Sequence, residues 1–183
     1  VPLPTGITWL FIIGSIIIHN YYFITLGISY NKGDLSYVYP ISRGCSPIFI
    51  TIFSLLFLQD KVSLAGCIGI IIASFGLILL TFNDIKNKIN LDVLKLALII
   101  SFTICLYTLC DAAGVRSVNN SFSYIVWLFA LDGWLIFFYV YYKNKNDLLN
   151  IHLRGFGLII LASIMSFSGY SIIIWSMNNV EVG

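Results

Sequence analysis

Six long apolar runs, separated by short polar connectors, dominate the pattern of the chain. They lie at about 6–30, 37–58, 64–82, 93–115, 122–142 and 155–178. Each is close to the ~20 residues that a helix needs to cross a bilayer. None alternates between apolar and polar at every second residue, as a membrane β-strand would. Because backbone groups in lipid must find hydrogen-bond partners within their own segment, the runs predict an all-α membrane protein, a polytopic bundle of about six transmembrane helices.

The composition supports a membrane environment. Hydrophobic residues make up 59% of the 183 residues, charged residues only 10%, and the mean hydropathy is +0.95. A soluble domain carries roughly 25% charged residues, so this chain lacks the polar surface that water requires. Its net charge of +2 is small and scattered, which argues against nucleic acid as a partner. The expected partner is the lipid bilayer.

Short connectors force neighbouring helices to be antiparallel, so the connectors alternate between the two membrane faces. The first, third and fifth connectors carry most of the cations, namely Lys32, Lys86, Lys88, Lys143, Lys145 and Arg154. The opposite face carries only Lys61 and Arg116. Since cytoplasmic loops carry an excess of lysine and arginine, this count favours placing the first group in the cytoplasm.

A cation and two prolines begin the second run, in the segment Tyr39–Pro47. Arg43 is expected about two turns into its helix, roughly 10 Å deep at ~1.5 Å per residue, with Tyr39 and Pro47 on the same face. Because lipid tolerates an unpaired arginine poorly, Arg43 predicts a site for an anionic solute, or else a side chain that snorkels to the headgroups or pairs with an acid. Pro40 and Pro47 each remove a backbone donor, and we expect them to bend the helix.

Other polar residues also lie within apolar runs. Asp132 is near the middle of the fifth, where an ionised carboxylate costs about 3 kcal/mol. Its expected partner is Arg43, a proton or a cation, and otherwise it is a neutral, hydrogen-bonded structural residue. His19 belongs to a polar cluster that favours an interhelical face or a cavity. Asp111 and Arg116 end the fourth run and are expected at the membrane interface.

The third run contains small residues that are spaced for close helix packing. Ala65, Gly69 and Ala73 recur every four residues, with Gly66 and Gly76 beside them. Small side chains at this spacing let two helix backbones approach closely, so we expect this face to contact another helix.

The sequence contains no recognisable catalytic or metal-binding motif. HExxH, GxSxG and a phosphate-binding glycine loop are all missing, which argues against an enzyme and against a bound cofactor. The two histidines, His19 and His152, are too few to predict a metal site. The four cysteines lie in apolar runs without CxxC spacing, as expected of residues that pack between helices.

The first and sixth runs resemble each other. The residues in register are polar, pairing Ser15 with Ser163, Tyr22 with Tyr170, and Asn31 with Asn179. The offset of about 150 residues spans five helices, and an odd number of helices inverts the second copy in the membrane. Inverted repeats of this kind are a common plan of secondary transporters.

From Gly33 to Leu80 the chain resembles the end of one repeat of EamA-type transporters, in the drug/metabolite transporter superfamily. The shared features are a polar loop, a helix with Ser-Pro near its start, a two-residue turn and a glycine-rich helix, here Gly33-Asp34, Ser46-Pro47, Gln59-Asp60, and Gly66, Gly69 and Gly76. Gln59-Asp60 stands where the family usually has Gly-Glu. The resemblance extends into the second half of the chain through YTLCDAAGVRS and SYIVWLFALDGW.

The resemblance implies a ten-helix fold of two inverted five-helix repeats, with this chain supplying helices three to eight as a piece of a longer protein. Residues 1–92 would then end the first repeat, and residues 93–183 would begin the second. A multi-pass location in the cell membrane (the cytoplasmic or inner membrane) is implied as well. The family plan puts the first, third and fifth connectors outside, opposite to the charge count, so the orientation stays open.

Together these features predict a secondary transporter that exports a small metabolite by alternating access between two inverted repeats. The solute, anionic or amino-acid-like, is expected between the repeats near the midplane, at Arg43, Tyr39, Asp132, Tyr22, Tyr107, Tyr124, Trp127 and Tyr170. Arg43 would hold an anion of the solute, and Asp132 would compensate charge or couple a proton. The alternative is a non-transporting membrane subunit or scaffold whose polar residues serve helix association, with no cavity between Arg43 and Asp132. Association of two copies as a homodimer is left open.

Overall fold

A computed structural model of the protein describes residues 2–4, 6–81, 91–149 and 153–178, with the side chains from 144 to 154 left out. Within these ranges the chain forms six α-helices and no strand. They are α1 Thr8–Lys32, α2 Leu35–Phe53, α3 Leu64–Leu79, α4 Leu91–Arg116, α5 Ser121–Leu149 and α6 Leu153–Met177. The all-helical prediction is confirmed, because each apolar run coincides with one helix.

In the part of the chain that the structure describes, five helical segments are long and apolar enough to cross a membrane. They are Thr8–Lys32, Leu35–Leu58, Leu91–Arg116, Ser121–Lys143 and Gly155–Met177. The chain is therefore a multi-pass membrane protein. The third run was expected to span the bilayer over 64–82, but α3 has 16 residues. At ~1.5 Å per residue it is about 24 Å long, shorter than the ~30 Å hydrocarbon core, so the prediction of a sixth span is not met in the described residues.

Contacts between helix ends show that neighbouring helices run antiparallel. At the start of α1, Thr8 Oγ1 lies 2.8 Å from Ser117 Oγ, just after the end of α4. Arg116 donates from Nε to the carbonyl oxygen of Met177, at the end of α6, over 3.0 Å. One side of the bundle, which we call the tethered end, therefore holds the starts of α1 and α5 and the ends of α2, α4 and α6.

The fourth helix is the centre of the bundle. In its apolar stretch 50% of the residues are buried, against 6% in that of α6. One apolar cluster joins α4 to α1, α5 and α6 around Ile12, Val115 and Leu128. A second cluster joins α4 to α1 and α2 around Val38 and Ile100. Because α4 contributes to both clusters, it fixes the position of the other helices around it.

The second helix runs through Pro40 and Pro47 as one continuous α-helix. Pro47 cannot donate to the carbonyl of Arg43, and the hydroxyl of Ser46 donates to that oxygen instead, over 3.3 Å. The irregular part of the segment lies further along, where a π-helical turn, Ser54–Leu58, leads into Gln59 at φ 56°. A residue without a glycine's freedom is strained in this left-handed conformation. The bend expected at Pro40 and Pro47 stays a prediction, and the irregular backbone of this segment lies in the turn after α2.

The small-residue face of α3 does not make the helix contact that its spacing predicts. Ala65, Gly69, Ala73 and Gly76 are exposed, and Gly66 lies near Val62 and Ser63 of its own helix start. The close approach occurs on another face, where Gly44 of α2 packs on Ser74, Leu77 and Ile78 of α3. Within the described part of the chain, the glycine that permits the close approach belongs to α2, and the contact expected at the small-residue face of α3 stays a prediction.

Candidate functional site

A cavity of about 740 Å³ lies among the helices, with wall residues from all six of them. Sites for small molecules usually measure about 300–1,000 Å³ and combine apolar walls with a few polar groups. The wall is largely aromatic and aliphatic, and its chemistry comes from a small polar set: His19, Tyr22, Tyr39, Arg43, Tyr107, Asp132 and Tyr170. Six of the eight residues expected to bind a solute are in this set.

Arg43 is the cation of the cavity. Its Nη2 donates to the hydroxyl of Tyr22 over 3.2 Å, and its guanidinium carbon lies 5.8 Å from the ring centroid of Tyr39, one turn earlier in α2. Tyr107 of α4 lies beside it as well. Among the described side chains no carboxylate comes within ion-pair distance of Arg43. Its charge therefore faces phenol groups and the cavity.

Asp132 does not pair with Arg43, contrary to one expectation from the sequence. Its Oδ2 lies 3.4 Å from Nδ1 of His19, and its Oδ1 accepts from Nδ2 of Asn20 over 3.3 Å. The reason is geometric, since α1 lies against α5 and presents His19 and Asn20 to the carboxylate. The cavity thus has a cationic wall on α2 and a carboxylate with an imidazole between α1 and α5.

His19 is held in place by aromatic rings. Its centroid lies 4.4 Å from that of Tyr107, 5.2 Å from that of Phe23 and 5.8 Å from that of Tyr170. The polar cluster that contains His19 was expected to line an interhelical face or cavity, and it does so. In the described part of the chain, no three His, Cys, Asp or Glu side chains converge as metal ligands.

Tyr22 and Tyr170, which correspond in the apparent repeat, both line the cavity. They lie on either side of Tyr107, with ring centroids 5.8 Å and 6.3 Å from it. Tyr22 comes from α1 and Tyr170 from α6, two helices that run in opposite directions. The two positions therefore reach the same space from two antiparallel helices.

Tyr124 and Trp127, the other two expected solute contacts, lie away from the cavity. Tyr124 is 0% exposed and donates its hydroxyl to Asp111 over 2.8 Å. Trp127 packs edge-on against Trp9, with centroids 5.6 Å apart, and its indole N–H donates to the carbonyl of Pro2. Tyr124 thus joins α5 to α4, and the half-buried Trp127 joins α5 to α1 and to the residues before it.

Asp111 was expected at the membrane interface, and its side chain is 0% exposed between the helices, near the end of α4. Its two carboxylate oxygens accept from Tyr124 and Tyr170, at 2.8 Å and 2.5 Å. Gly114 makes room for the first contact, because a Cβ there would collide with the ring of Tyr124. The sequence signal that could have placed Asp111 inside is its position one turn after Tyr107 on the most central helix.

Asp60 and Arg116 form an ion pair at the tethered end. Arg116 Nη1 lies 2.8 Å from Asp60 Oδ1 and its Nη2 lies 3.3 Å from Oδ2, so the contact is bidentate. Asp60 follows the strained Gln59 and belongs to the two-residue turn that departs from the family's Gly-Glu. The turn therefore links the end of α2 to the end of α4.

Comparison of the chain with protein-family models, with curated protein sequences and with solved structures finds no match. These comparisons therefore assign the chain to no family. The features that bear on its function are the cavity and the charges around it.

Proposed function

We propose that the chain is part of a secondary transporter that moves a small, carboxylate-bearing metabolite across the membrane, in the direction of export. The observation that carries this proposal is the cavity of about 740 Å³, into which Arg43 faces with no acid at ion-pair distance among the described side chains. A buried cation is costly unless a counter-ion or water accompanies it. An anionic solute would supply that counter-ion.

The cavity also bears on the alternative, a scaffold whose polar residues serve only helix association. That alternative predicts direct protein contacts around Arg43 and Asp132, with no space between them. Both residues line one cavity, and its volume suits a metabolite. This observation supports the carrier over the scaffold.

The polar groups favour an amino-acid-like solute. The planar guanidinium of Arg43 can donate two parallel hydrogen bonds to one carboxylate. Asp132 beside His19 offers an acceptor for a solute ammonium group. The rings of Tyr22, Tyr107 and Tyr170 supply apolar surface between these charges. Opposite charges at separate walls suit a zwitterion better than a simple anion.

We further propose the EamA-type plan, in which this chain contributes helices three to eight of ten and 1–92 and 93–183 belong to different repeats. The antiparallel course of α1 and α6 supports it, because inverted repeats require that relation. The convergence of Tyr22 and Tyr170 on one cavity supports it too. Alternating access would then proceed by rocking of one repeat against the other around Arg43.

A metabolite-export screen tests the proposal. Cells that express the complete protein should enrich the medium in at least one carboxylate-bearing metabolite relative to cells with an empty vector. Export should fall about tenfold or more in Arg43→Ala and Asp132→Asn, because each loses a charge-assisted hydrogen bond to the solute. Lys61→Gln, which removes an exposed cation outside the cavity, is the control and should export normally. Undiminished export by the Arg43→Ala, Asp132→Asn double variant would show that the site is wrong.

A further inference from the structure

Asp111 is a buried carboxyl group that the proposed transport site does not use. It is 0% exposed, and Tyr124 and Tyr170 donate to its two oxygens. The other titratable groups that face it are His19 on α1 and Tyr107 and Cys110 on its own helix. No cation of the described side chains lies within ion-pair distance of it. The titratable groups around the carboxyl group are therefore phenols, a thiol and the imidazole of His19, with no lysine or arginine among the described side chains.

The surroundings of Asp111 accommodate both of its protonation states. Ionised, it accepts from two phenols, which stabilise the charge partially. Ser15 of α1 also faces the carboxyl group, and its buried hydroxyl makes no hydrogen bond in the described residues. A hydroxyl both donates and accepts, so Ser15 can donate to the carboxylate or accept from the carboxylic acid. Neither state leaves a buried donor without a partner.

Tyr170 connects Asp111 to the cavity. It lines the cavity, and its hydroxyl lies 2.5 Å from Asp111 Oδ2. Tyr124 contacts the other oxygen at 2.8 Å, but it is fully buried and does not line the cavity. Both phenols thus donate to Asp111, but only that of Tyr170 belongs to a residue that lines the cavity.

We propose that Asp111 is a reversible proton-binding site that exchanges its proton with cavity water through the hydroxyl of Tyr170. On uptake, Tyr170 passes its hydroxyl proton to Asp111 Oδ2 and takes a proton at its own oxygen from a hydronium ion in the cavity, which is left as water. On release, the same O–H bonds break and form in the reverse order, and the phenol ends unchanged. Protonation replaces a charge-assisted bond by a neutral one, which loosens Tyr170 from Asp111.

At Asp111 the carrier would bind the proton that is coupled to transport. The sequence had suggested Asp132 for proton coupling. The link to transport rests on the proposed function. Proton binding and its route do not, since they need only a carboxyl group and a wet cavity. The two ideas can therefore fail separately.

Infrared difference spectroscopy of the protein in lipid nanodiscs tests the site without any solute. Between about pH 5 and about pH 9 the wild type should show the carbonyl stretch of a protonated, buried carboxylic acid, which shifts on exchange into D₂O. Asp111→Asn should lose this band. Asp132→Asn should keep it, which excludes the carboxyl group that lines the cavity. A spectrum without the band overturns the proposal, and that is the result expected if His19 holds the proton. A band lost only in Asp132→Asn overturns it as well.

The rate of exchange into D₂O tests the route. Tyr170→Phe should slow the isotope shift of the band at least about tenfold, because the relay hydroxyl is gone. Tyr124→Phe removes one hydrogen bond from the same carboxyl group and should leave the rate unchanged. Equal rates in the two variants would contradict Tyr170 as the route.

Discussion

Arg116 and Asp60 hold three helix ends together at the tethered end of the bundle. Arg116 makes a bidentate contact with Asp60 and also donates to the carbonyl of Met177. The side chain of Asp60 is 5% exposed and that of Arg116 is 28% exposed. Removing the cation would leave a buried carboxylate without its compensating charge, which costs far more than the pair itself contributes.

We expect Arg116→Gln to lower the free energy of unfolding by about 3 kcal/mol, measured by thermal unfolding in nanodiscs. The matched control is Lys95→Gln, which breaks the exposed pair of Lys95 with Asp92, whose charged atoms lie 4.0 Å apart. That variant should change stability little, because exposed pairs contribute little. Equal effects of the two substitutions would show that the Asp60–Arg116 pair does not hold the end together.

Single charges within apolar runs could be found from the sequence, but their partners could not. Arg43 and Asp132 stand out because everything around them is apolar, and both line the cavity. Their pairing depends on how each helix is rotated and on which helix lies beside it. Asp132 thus meets His19 and Asn20, and Asp111 is buried although it lies near a helix end.

At the scale of helices, α2 and α3 pack through a single glycine. A Cβ at Gly44 would lie 2.9 Å from Ile78 Cγ1 and 3.1 Å from the backbone oxygen of Ser74. A Cβ at Gly69 or Gly76 would meet nothing within 4 Å. The position that permits the close approach is therefore Gly44 on α2. Gly69 and Gly76 of α3 lie on the exposed side of that helix within the described part of the chain.

Leucine substitutions at these glycines should have opposite effects on stability. Gly44→Leu is expected to destabilise the protein by about 3 kcal/mol, because the added side chain has to push α3 away. Gly69→Leu should be neutral or stabilise by up to about 1 kcal/mol, since leucine favours a helix more than glycine does. Thermal unfolding of the two variants in the same lipid measures the difference. A destabilising Gly69→Leu beside a harmless Gly44→Leu would reverse the assignment of the packing face.

The helices themselves were predictable, because length and apolar composition are properties of each segment alone. The run at 93–115 became Leu91–Arg116, and the run at 37–58 became α2 with its π-helical turn. Features that depend on two segments were harder to predict. Small residues on α3 indicate that a close approach is possible, but not which helix face makes it.

At the scale of the whole molecule, the proposed transport of a solute depends on one cavity with charges on separate walls. Arg43 lies on α2, Asp132 and His19 lie between α5 and α1, and tyrosines from α1, α4 and α6 complete the wall. The α-helical bundle followed from the sequence. The cavity followed only in part. Six of the eight residues expected to bind a solute line it, but Tyr124 and Trp127 do not, because the sequence does not fix how each helix is rotated.

Thermal unfolding in nanodiscs with small carboxylates tests the central claim that Arg43 holds a solute anion in the cavity. The design compares a panel of carboxylates, such as benzoate and the common amino acids, with their uncharged amides. At least one carboxylate should raise the unfolding temperature of the wild type and of Lys61→Gln by about 3 °C or more, while its amide does not. Arg43→Gln should show no such rise. Equal stabilisation of Arg43→Gln and the wild type, or no carboxylate that surpasses its amide, would contradict the claim.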